Sequence, residues 1–195
     1  MVPTNELEDL HSSRRRRLVT YVLVTAAAGI ALVFLLRPAP ERRAPEFELP
    51  LLGTSRTLSD DDLRGAPVVV NFWASWCLPC REEARTLQRA WEEFESDGVQ
   101  FLGVNVQDTP ENAQRFVDDF GITFQVVRDA DQELAEDLGV FGLPQTFFID
   151  HRWRLASSEA GERVGGERGT IWLGAISGQE LRAHIERLLE AWNRS

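Results

Sequence analysis

Two cysteines separated by two residues constrain this sequence more than any other feature. Cys77 and Cys80 are the only cysteines in the 195-residue chain. The continuous apolar run 68–73 precedes them, and a charged, helix-favouring run begins at Arg81. This order predicts a buried strand, a short turn and a helix whose first turn holds Cys80.

Such a setting suits a reversible dithiol–disulfide pair. The unpaired N–H groups and the positive dipole end at a helix N-terminus both stabilise a thiolate, the nucleophilic form of cysteine. Cys80 lies three residues after Cys77 and therefore on the same helical face, close enough to form a disulfide with it. We predict that Cys77 is the nucleophile and Cys80 the resolving thiol. The redox-active disulfide itself would then carry the chemistry, with no separate cofactor.

Three other interpretations of the pair are weaker. A structural disulfide that closes so short a loop removes little entropy from the unfolded chain. A structural zinc site needs four ligands, whereas the chain has no second cysteine pair and its three histidines are scattered singly. Two inert buried cysteines are the third alternative. We therefore expect no metal site.

The N-terminal region predicts a membrane anchor. Four consecutive arginines, 14–17, precede an uncharged and mostly apolar run, 18–36, which as a helix reaches roughly 28 Å, about the thickness of a bilayer core. A cleavable signal peptide is the alternative, although the run is long and lacks a clean cleavage site after it. The arginines should stay cytoplasmic, which places the rest of the chain outside the cell membrane. The predicted parts are a cytoplasmic tail at 1–17, a single-pass anchor at 18–36, a linker at 37–45 and one domain at 46–195.

The remaining pattern alternates strands with helices and predicts an α/β fold with a mixed sheet between helices. A weak alternation around Gly53 predicts a small N-terminal hairpin, and a loop is expected over 161–169. The predicted strands are 68–73, 99–106, 124–127 and 146–149, with a partner strand beginning near Trp153. The predicted helices follow Cys77, begin at Pro110, span 131–138, and follow a capping box at Ser177.

Two segments resemble the thioredoxin-like proteins. They are Asn-Phe-Trp-Ala-Ser-Trp-Cys-Leu-Pro-Cys, residues 71–80, and Gly-Leu-Pro-Gln-Thr-Phe-Phe-Ile-Asp, residues 142–150. From about Pro45 to the C-terminus, the chain resembles the membrane-anchored TlpA/ResA/CcmG (DsbE) group of disulfide reductases. This resemblance implies a thioredoxin-like fold with an N-terminal hairpin and a central helical insertion that contains the helix from Pro110.

The resemblance also implies further site residues. The spacing C-x-x-C-x-x-E matches the group and implies that Glu83 is the base for Cys80, because plain thioredoxins carry a buried aspartate where Asn71 stands. The alternative is a solvated helix glutamate, which is our expectation for Glu82. A further implication is a cis Leu143–Pro144 peptide that faces the cysteines.

Substrate contacts are expected beside the cysteines. Backbone groups next to Pro144 can pair with an extended substrate peptide. Leu143 belongs to the same segment. Trp76 offers an apolar platform for substrate or is simply core, whereas Trp73 is assigned to the core.

These features predict an extracytoplasmic thiol–disulfide oxidoreductase that reduces protein disulfides. Leu78 and Pro79 supply no cation to stabilise a thiolate further, which favours a reductant over an oxidant. Such a reductant needs a transmembrane thiol electron donor, and the resemblance implies the haem-binding cysteines of apocytochrome c as substrate, in cytochrome c-type biogenesis. The net charge of −10 argues against a nucleic-acid partner.

Three alternatives remain open at this point. The first is a disulfide oxidase or isomerase of the same fold. The second, a thiol peroxidase of related fold, is weaker because the segment before Cys77 lacks the proline- and threonine-containing pattern. The third is a membrane-tethered chaperone or assembly factor that uses its peptide groove more than its thiols.

Overall fold

The structure is a computed structural model that describes Gly29 and residues 42–156, 163–164, 167–168 and 171–195. The chain divides into two compact units, Met1–Pro40 and Glu41–Ser195. The predicted tail at 1–17 and anchor at 18–36 lie outside the described residues, apart from Gly29. Within the part that is described, no helix combines the length and the apolar character needed to cross a bilayer.

The second unit contains nine described strands and four described α-helices. The strands are β1 (Glu48–Pro50), β2 (Thr57–Ser59), β3 (Val68–Trp73), β4 (Gln100–Val106), β5 (Gln125–Asp129), β6 (Gln145–Ile149), β7 (Arg163–Val164), β8 (Glu167–Arg168) and β9 (Ile171–Leu173). The helices are α1 (Leu78–Phe94), α2 (Pro110–Phe120), α3 (Glu133–Leu138) and α4 (Gly178–Asn193). Short 3₁₀ turns lie at Asp60–Asp62 and Glu95–Asp97.

A five-stranded mixed sheet in the order β5-β4-β3-β6-β9 forms the centre. β3 pairs in parallel with β4 and antiparallel with β6, and β4 pairs in parallel with β5. The strand β3 is buried at every residue, as its continuous apolar sequence predicts. β1 and β2 form the predicted N-terminal hairpin, and α2 follows β4 where the central helical insertion was expected.

The two faces of β3 pack into two separate cores. Val69 and Trp73 pack in a cluster with residues of α1, α2 and α4. Val70 and Phe72 pack in the other cluster, with residues of α3 and the N-terminal segment. Because side chains alternate along a strand, Asn71 points to the same face as Val69 and Trp73, toward α1.

The helix boundaries follow from their caps. The Thr109 hydroxyl accepts the N–H of Asn112 at 3.2 Å, Pro110 takes the first position of α2, and Gly121 ends that helix at φ 66°. The Ser177 hydroxyl accepts the N–H of Glu180 at 3.3 Å in the predicted capping box of α4. These ends are confirmed as predicted.

The partner strand predicted to begin near Trp153 is confirmed only in part. After a tight turn, in which the Asp150 carboxylate accepts the N–H groups of Arg152 and Arg154, both at 2.9 Å, Leu155 forms an antiparallel bridge to Ile149. The Ala156 N–H also donates to the Phe148 carbonyl at 2.9 Å. The pairing is short, and from Gln145 to Phe147 the partner of β6 is β9.

Two segments that were predicted to be irregular contain backbone pairing. Within the predicted loop 161–169, β7 and β8 form an antiparallel pair. At the end of the predicted linker, the Ala44 N–H donates to the Trp153 carbonyl at 3.1 Å, and the Arg42 carbonyl accepts the N–H of Leu155 at 2.9 Å. The domain's contacts therefore begin by Arg42.

Candidate active site

The two cysteines form a disulfide at the junction of β3 and α1. The S–S distance is 2.01 Å and the Cα atoms are 5.3 Å apart. Cys77 is the N-cap residue of α1, and its Sγ accepts the N–H of Cys80 at 3.2 Å. The same N–H can stabilise a thiolate on Cys77 once the disulfide is reduced.

The two sulfurs differ in their access to a surface groove. Cys77 lines a groove of about 440 Å³, whereas Cys80 does not. Both residues are otherwise buried. A substrate disulfide in the groove would therefore reach Cys77 first.

Exposed apolar side chains surround this groove. Trp76, Leu78 and Phe141 all line it and are 61%, 67% and 63% exposed. The Trp76 indole N–H donates to the Gln107 carbonyl at 2.9 Å, which holds the ring at the surface. Trp76 is therefore not a core residue. Trp73 is, since it is buried and stacks on Phe116 with ring centroids 4.2 Å apart.

The Leu143–Pro144 peptide bond is cis, as the resemblance implied. Leu143 lines the groove together with Cys77, whereas Pro144 is buried. The Pro144 carbonyl accepts the N–H of Gly174 at 2.8 Å. Backbone pairing with a substrate peptide would thus use the groups before the proline rather than its carbonyl.

Glu83 is a buried carboxylate and not a solvated one. It is 2% exposed, whereas Glu82 faces solvent as expected. Its Oε1 accepts the Asn71 amide at 2.8 Å, and its Oε2 accepts the backbone N–H of Ile176 at 2.8 Å. The Asn71 amide also donates to Thr146 Oγ1 at 3.0 Å. One helix, two strands and the turn before α4 thus meet at this carboxylate.

Burial raises the pKa of Glu83 to about 7, while the hydrogen bonds from Ile176 and Asn71 act in the opposite direction. A carboxyl group with that pKa is about half ionised at neutral pH and can both accept and return a proton. It stands one helical turn after Cys80 on the same face of α1. In this oxidised form its hydrogen bonds go to Asn71 and Ile176 rather than to a cysteine.

Four contributions to the site were not predicted from the sequence. Leu78 and Phe141 complete the apolar rim, and Asn71 and Ile176 hold Glu83. Asn71 could have been found, because a single amide inside an otherwise apolar strand needs a buried partner. The role of the Ile176 N–H depends on backbone position alone and leaves no sequence signal. Within the described residues, no three His, Cys, Asp or Glu side chains come together as metal ligands.

Comparisons with known proteins agree with this geometry. A sequence profile described as the AhpC/TSA family matches residues 40–157. The thiol:disulfide interchange protein DsbE of Pseudomonas fluorescens biotype C is 41% identical over 107 residues, which cover 54% of this chain and 58% of that protein. The thiol-disulfide oxidoreductase ResA of Geobacillus thermodenitrificans is 32% identical over 146 residues, covering 74% of this chain and 75% of that protein.

A solved structure shows the same fold. The thiol:disulfide interchange protein, a thioredoxin family protein from Chlorobium tepidum, superposes with a TM-score of 0.66 at 24% identity. The superposition covers 78% of this chain and 99% of that one. The domain thus has the thioredoxin-like α/β fold, with a mixed sheet flanked by helices.

Proposed function

Because the chain belongs to the AhpC/TSA family and is a thiol-disulfide oxidoreductase, we propose that it reduces disulfides of other proteins outside the cytoplasm. One observation carries this proposal: of the two cysteines in the disulfide, Cys77 lines the open groove and Cys80 does not. That asymmetry gives each sulfur a separate role in an exchange reaction.

The reaction begins with the reduced protein. The Cys77 thiolate attacks one sulfur of a substrate disulfide, so that a Cys77–substrate bond forms and the substrate S–S bond breaks, releasing one substrate thiolate, which takes up a proton. Cys80 then loses its proton and attacks Cys77, forming the Cys77–Cys80 disulfide and releasing the second substrate thiol. Two electrons have passed to the substrate, and a dithiol donor must restore them.

We assign Glu83 as the base for the second step. Cys80 is buried, so bulk water is poorly placed to take its proton. The Glu83 carboxyl lies one turn further along α1 and has a pKa of about 7. In its ionised form it can accept the Cys80 proton at the pH where the protein works.

The cellular setting is part of the same proposal. The apolar run 18–36 would anchor the chain in the cell membrane, with residues 1–17 in the cytoplasm and the domain outside. Electrons would come from a transmembrane thiol carrier. The substrate would be the haem-binding cysteines of apocytochrome c, which must be reduced before haem attachment.

Trapping tests the assigned roles. Cys80→Ser in the reduced full chain should accumulate a mixed disulfide with a peptide that contains an internal Cys-x-x-Cys disulfide, because the resolving thiol is missing. Cys77→Ser is the matched control and should trap nothing. Mass spectrometry under non-reducing conditions measures both. Absence of an adduct with Cys80→Ser, or a Cys77/Cys80→Ser double variant that still complements a deletion, would contradict the proposal.

A further inference from the structure

A second pocket shares Trp76 with the cysteine groove. Its volume is about 360 Å³ and its lining is mostly polar. Asn105 and Arg128 contribute to its wall and are directly paired residues of the parallel strands β4 and β5. Their side chains therefore lie side by side on one face, near the carboxyl ends of two parallel strands, where α/β sheets commonly bind ligands.

Two of these wall residues each contain a covered polar atom that lacks a partner among the described residues. Asn105 is 2% exposed, and its amide donates to Asp108 Oδ2 at 3.2 Å, which leaves Oδ1 as an acceptor with no partner among the described residues. The Arg128 guanidinium donates through Nη2 to the Asp108 carbonyl at 3.2 Å, while its Nε–H has no partner within the same part of the chain. An acceptor without a donor and a donor without an acceptor thus belong to two neighbouring side chains.

The local charges favour a neutral ligand over an anion. The Asp108 carboxylate lines the same pocket and offsets the charge of Arg128. It is fixed there by the Ser75 N–H at 2.7 Å, the Ser75 hydroxyl at 3.0 Å and the Thr109 N–H at 2.9 Å. An anion would also place its oxygens against Asn105 Oδ1, which repels them. A group that offers one N–H and one C=O satisfies both atoms.

We propose that this pocket binds an amide group of the substrate beside the disulfide that Cys77 attacks. The amide N–H donates to Asn105 Oδ1, and its C=O accepts from Arg128 Nε. Both atoms are covered in this structure. Binding would therefore be accompanied by a turn of the Arg128 side chain, which is only partly buried, and this turn uncovers them. The source is a backbone peptide unit or an Asn or Gln side chain. This subsite rests on the proposed function, because the amide belongs to a protein disulfide substrate.

Reduction of synthetic disulfide peptides by the full chain, with excess dithiothreitol as electron donor, tests the subsite. One peptide series places Gln, Ala or Glu at each position flanking a Cys-x-x-Cys disulfide, and a second series N-methylates single backbone amides. Two hydrogen bonds predict that Gln exceeds Ala and Glu by roughly tenfold in kcat/KM at one position, or that one N-methyl group lowers it about as much. The first result identifies a side-chain amide, the second a backbone amide.

The variant Arg128→Lys tests the contact with the amide C=O, because lysine keeps the positive charge and lacks the Nε–H donor. It should abolish the amide preference, and its rate on bis(2-hydroxyethyl) disulfide, which has no amide, measures any general loss of activity so that the two effects can be separated. Arg89→Lys, an exposed cation of α1, should keep the preference.

The subsite alone is overturned if the chain reduces the small disulfide but no peptide change alters kcat/KM more than twofold. A preference for Glu, or an equal loss on both substrates in Arg128→Lys, overturns it as well. A chain that reduces neither kind of disulfide contradicts the proposed function and the subsite together.

Discussion

A carboxyl group in the core, such as that of Glu83, is costly unless donors surround it. Two donors, the Asn71 amide and the Ile176 N–H, each approach one of its oxygens at 2.8 Å. They do not fully replace water, because burial still raises the pKa of Glu83 to about 7. The folded protein therefore binds this proton more tightly than the unfolded chain does.

The consequence for stability has a definite sign. The folded pKa of about 7 lies above the value of 4.5 for a free glutamate, so the stabilising contribution is complete below pH 4.5 and is lost as pH rises through 7. Between pH 4.5 and pH 8, the oxidised wild type should lose on the order of 3 kcal/mol of unfolding free energy that Glu83→Gln retains. Denaturant titrations at the two pH values measure this. Glu82→Gln, on the exposed side of α1, should follow the wild type, and equal pH slopes for Glu83→Gln and wild type would refute the assignment.

Asn71 tunes the same carboxyl group. Asn71→Leu removes a donor to the ionised form of Glu83, so the pKa of Glu83 should rise and the midpoint of the pH–rate profile for disulfide exchange should move up by about one unit. Thr146→Val is the matched control, since it leaves the bond between Asn71 and Glu83 in place. If the midpoint of the pH–rate profile is unchanged in Asn71→Leu, or shifts equally in both variants, Asn71 does not act through Glu83.

The sequence predicts the roles of some site residues better than those of others. The strand–turn–helix order was enough to place Cys77 and Cys80, since both roles depend on local geometry. The burial of Glu83 came only from a resemblance, because the exposed Glu82 beside it has the same local sequence. Phe141 directly precedes the segment 142–150 that contains Pro144, but nothing in the sequence indicates that its ring is exposed and lines the groove with Cys77.

The start of α4 links stability to the site. Ser177 caps this helix, and Ile176, the residue before it, donates to Glu83. Ser177→Ala should lower the unfolding free energy by about 1 kcal/mol, as loss of an N-cap commonly does. Thermal or denaturant unfolding measures it, with the exposed neighbour Gln179→Ala as control. A loss no larger than in the control would mean that the cap does not stabilise α4.

Helices were more predictable than strand partners. The ends of α2 and α4 follow from residues within one turn, namely Thr109, Gly121 and Ser177. The stretch after Trp153 was predicted as the partner of β6 because it follows β6 directly, and it does pair with the end of that strand. The rest of β6 pairs with β9, a more distant segment that the local sequence pattern does not identify as its partner.

Across the whole domain, the groove is a product of topology. The turn before α1, the end of β4, the start of α3 and the loop before β6 all reach it, bringing Cys77, Gln107, Gln132 and Phe141 to one surface. Spacing along the chain does not show that these residues come together. The α/β fold class that brings them together was nevertheless predicted from alternating strands and helices. The chain is acidic, with a net charge of −10, and neither residue between the two cysteines is a cation.

The absence of that cation favours a reductant over an oxidant. A dithiol whose reduced form gains little extra stabilisation gives up its electrons readily. The reduction potential of the Cys77–Cys80 couple in the full chain, measured against glutathione or dithiothreitol, tests this most directly. A reductant should have a potential around −230 mV or lower, in the range of reducing thioredoxin-like proteins. A value near −120 mV would identify an oxidase and contradict the proposed role as a reductant.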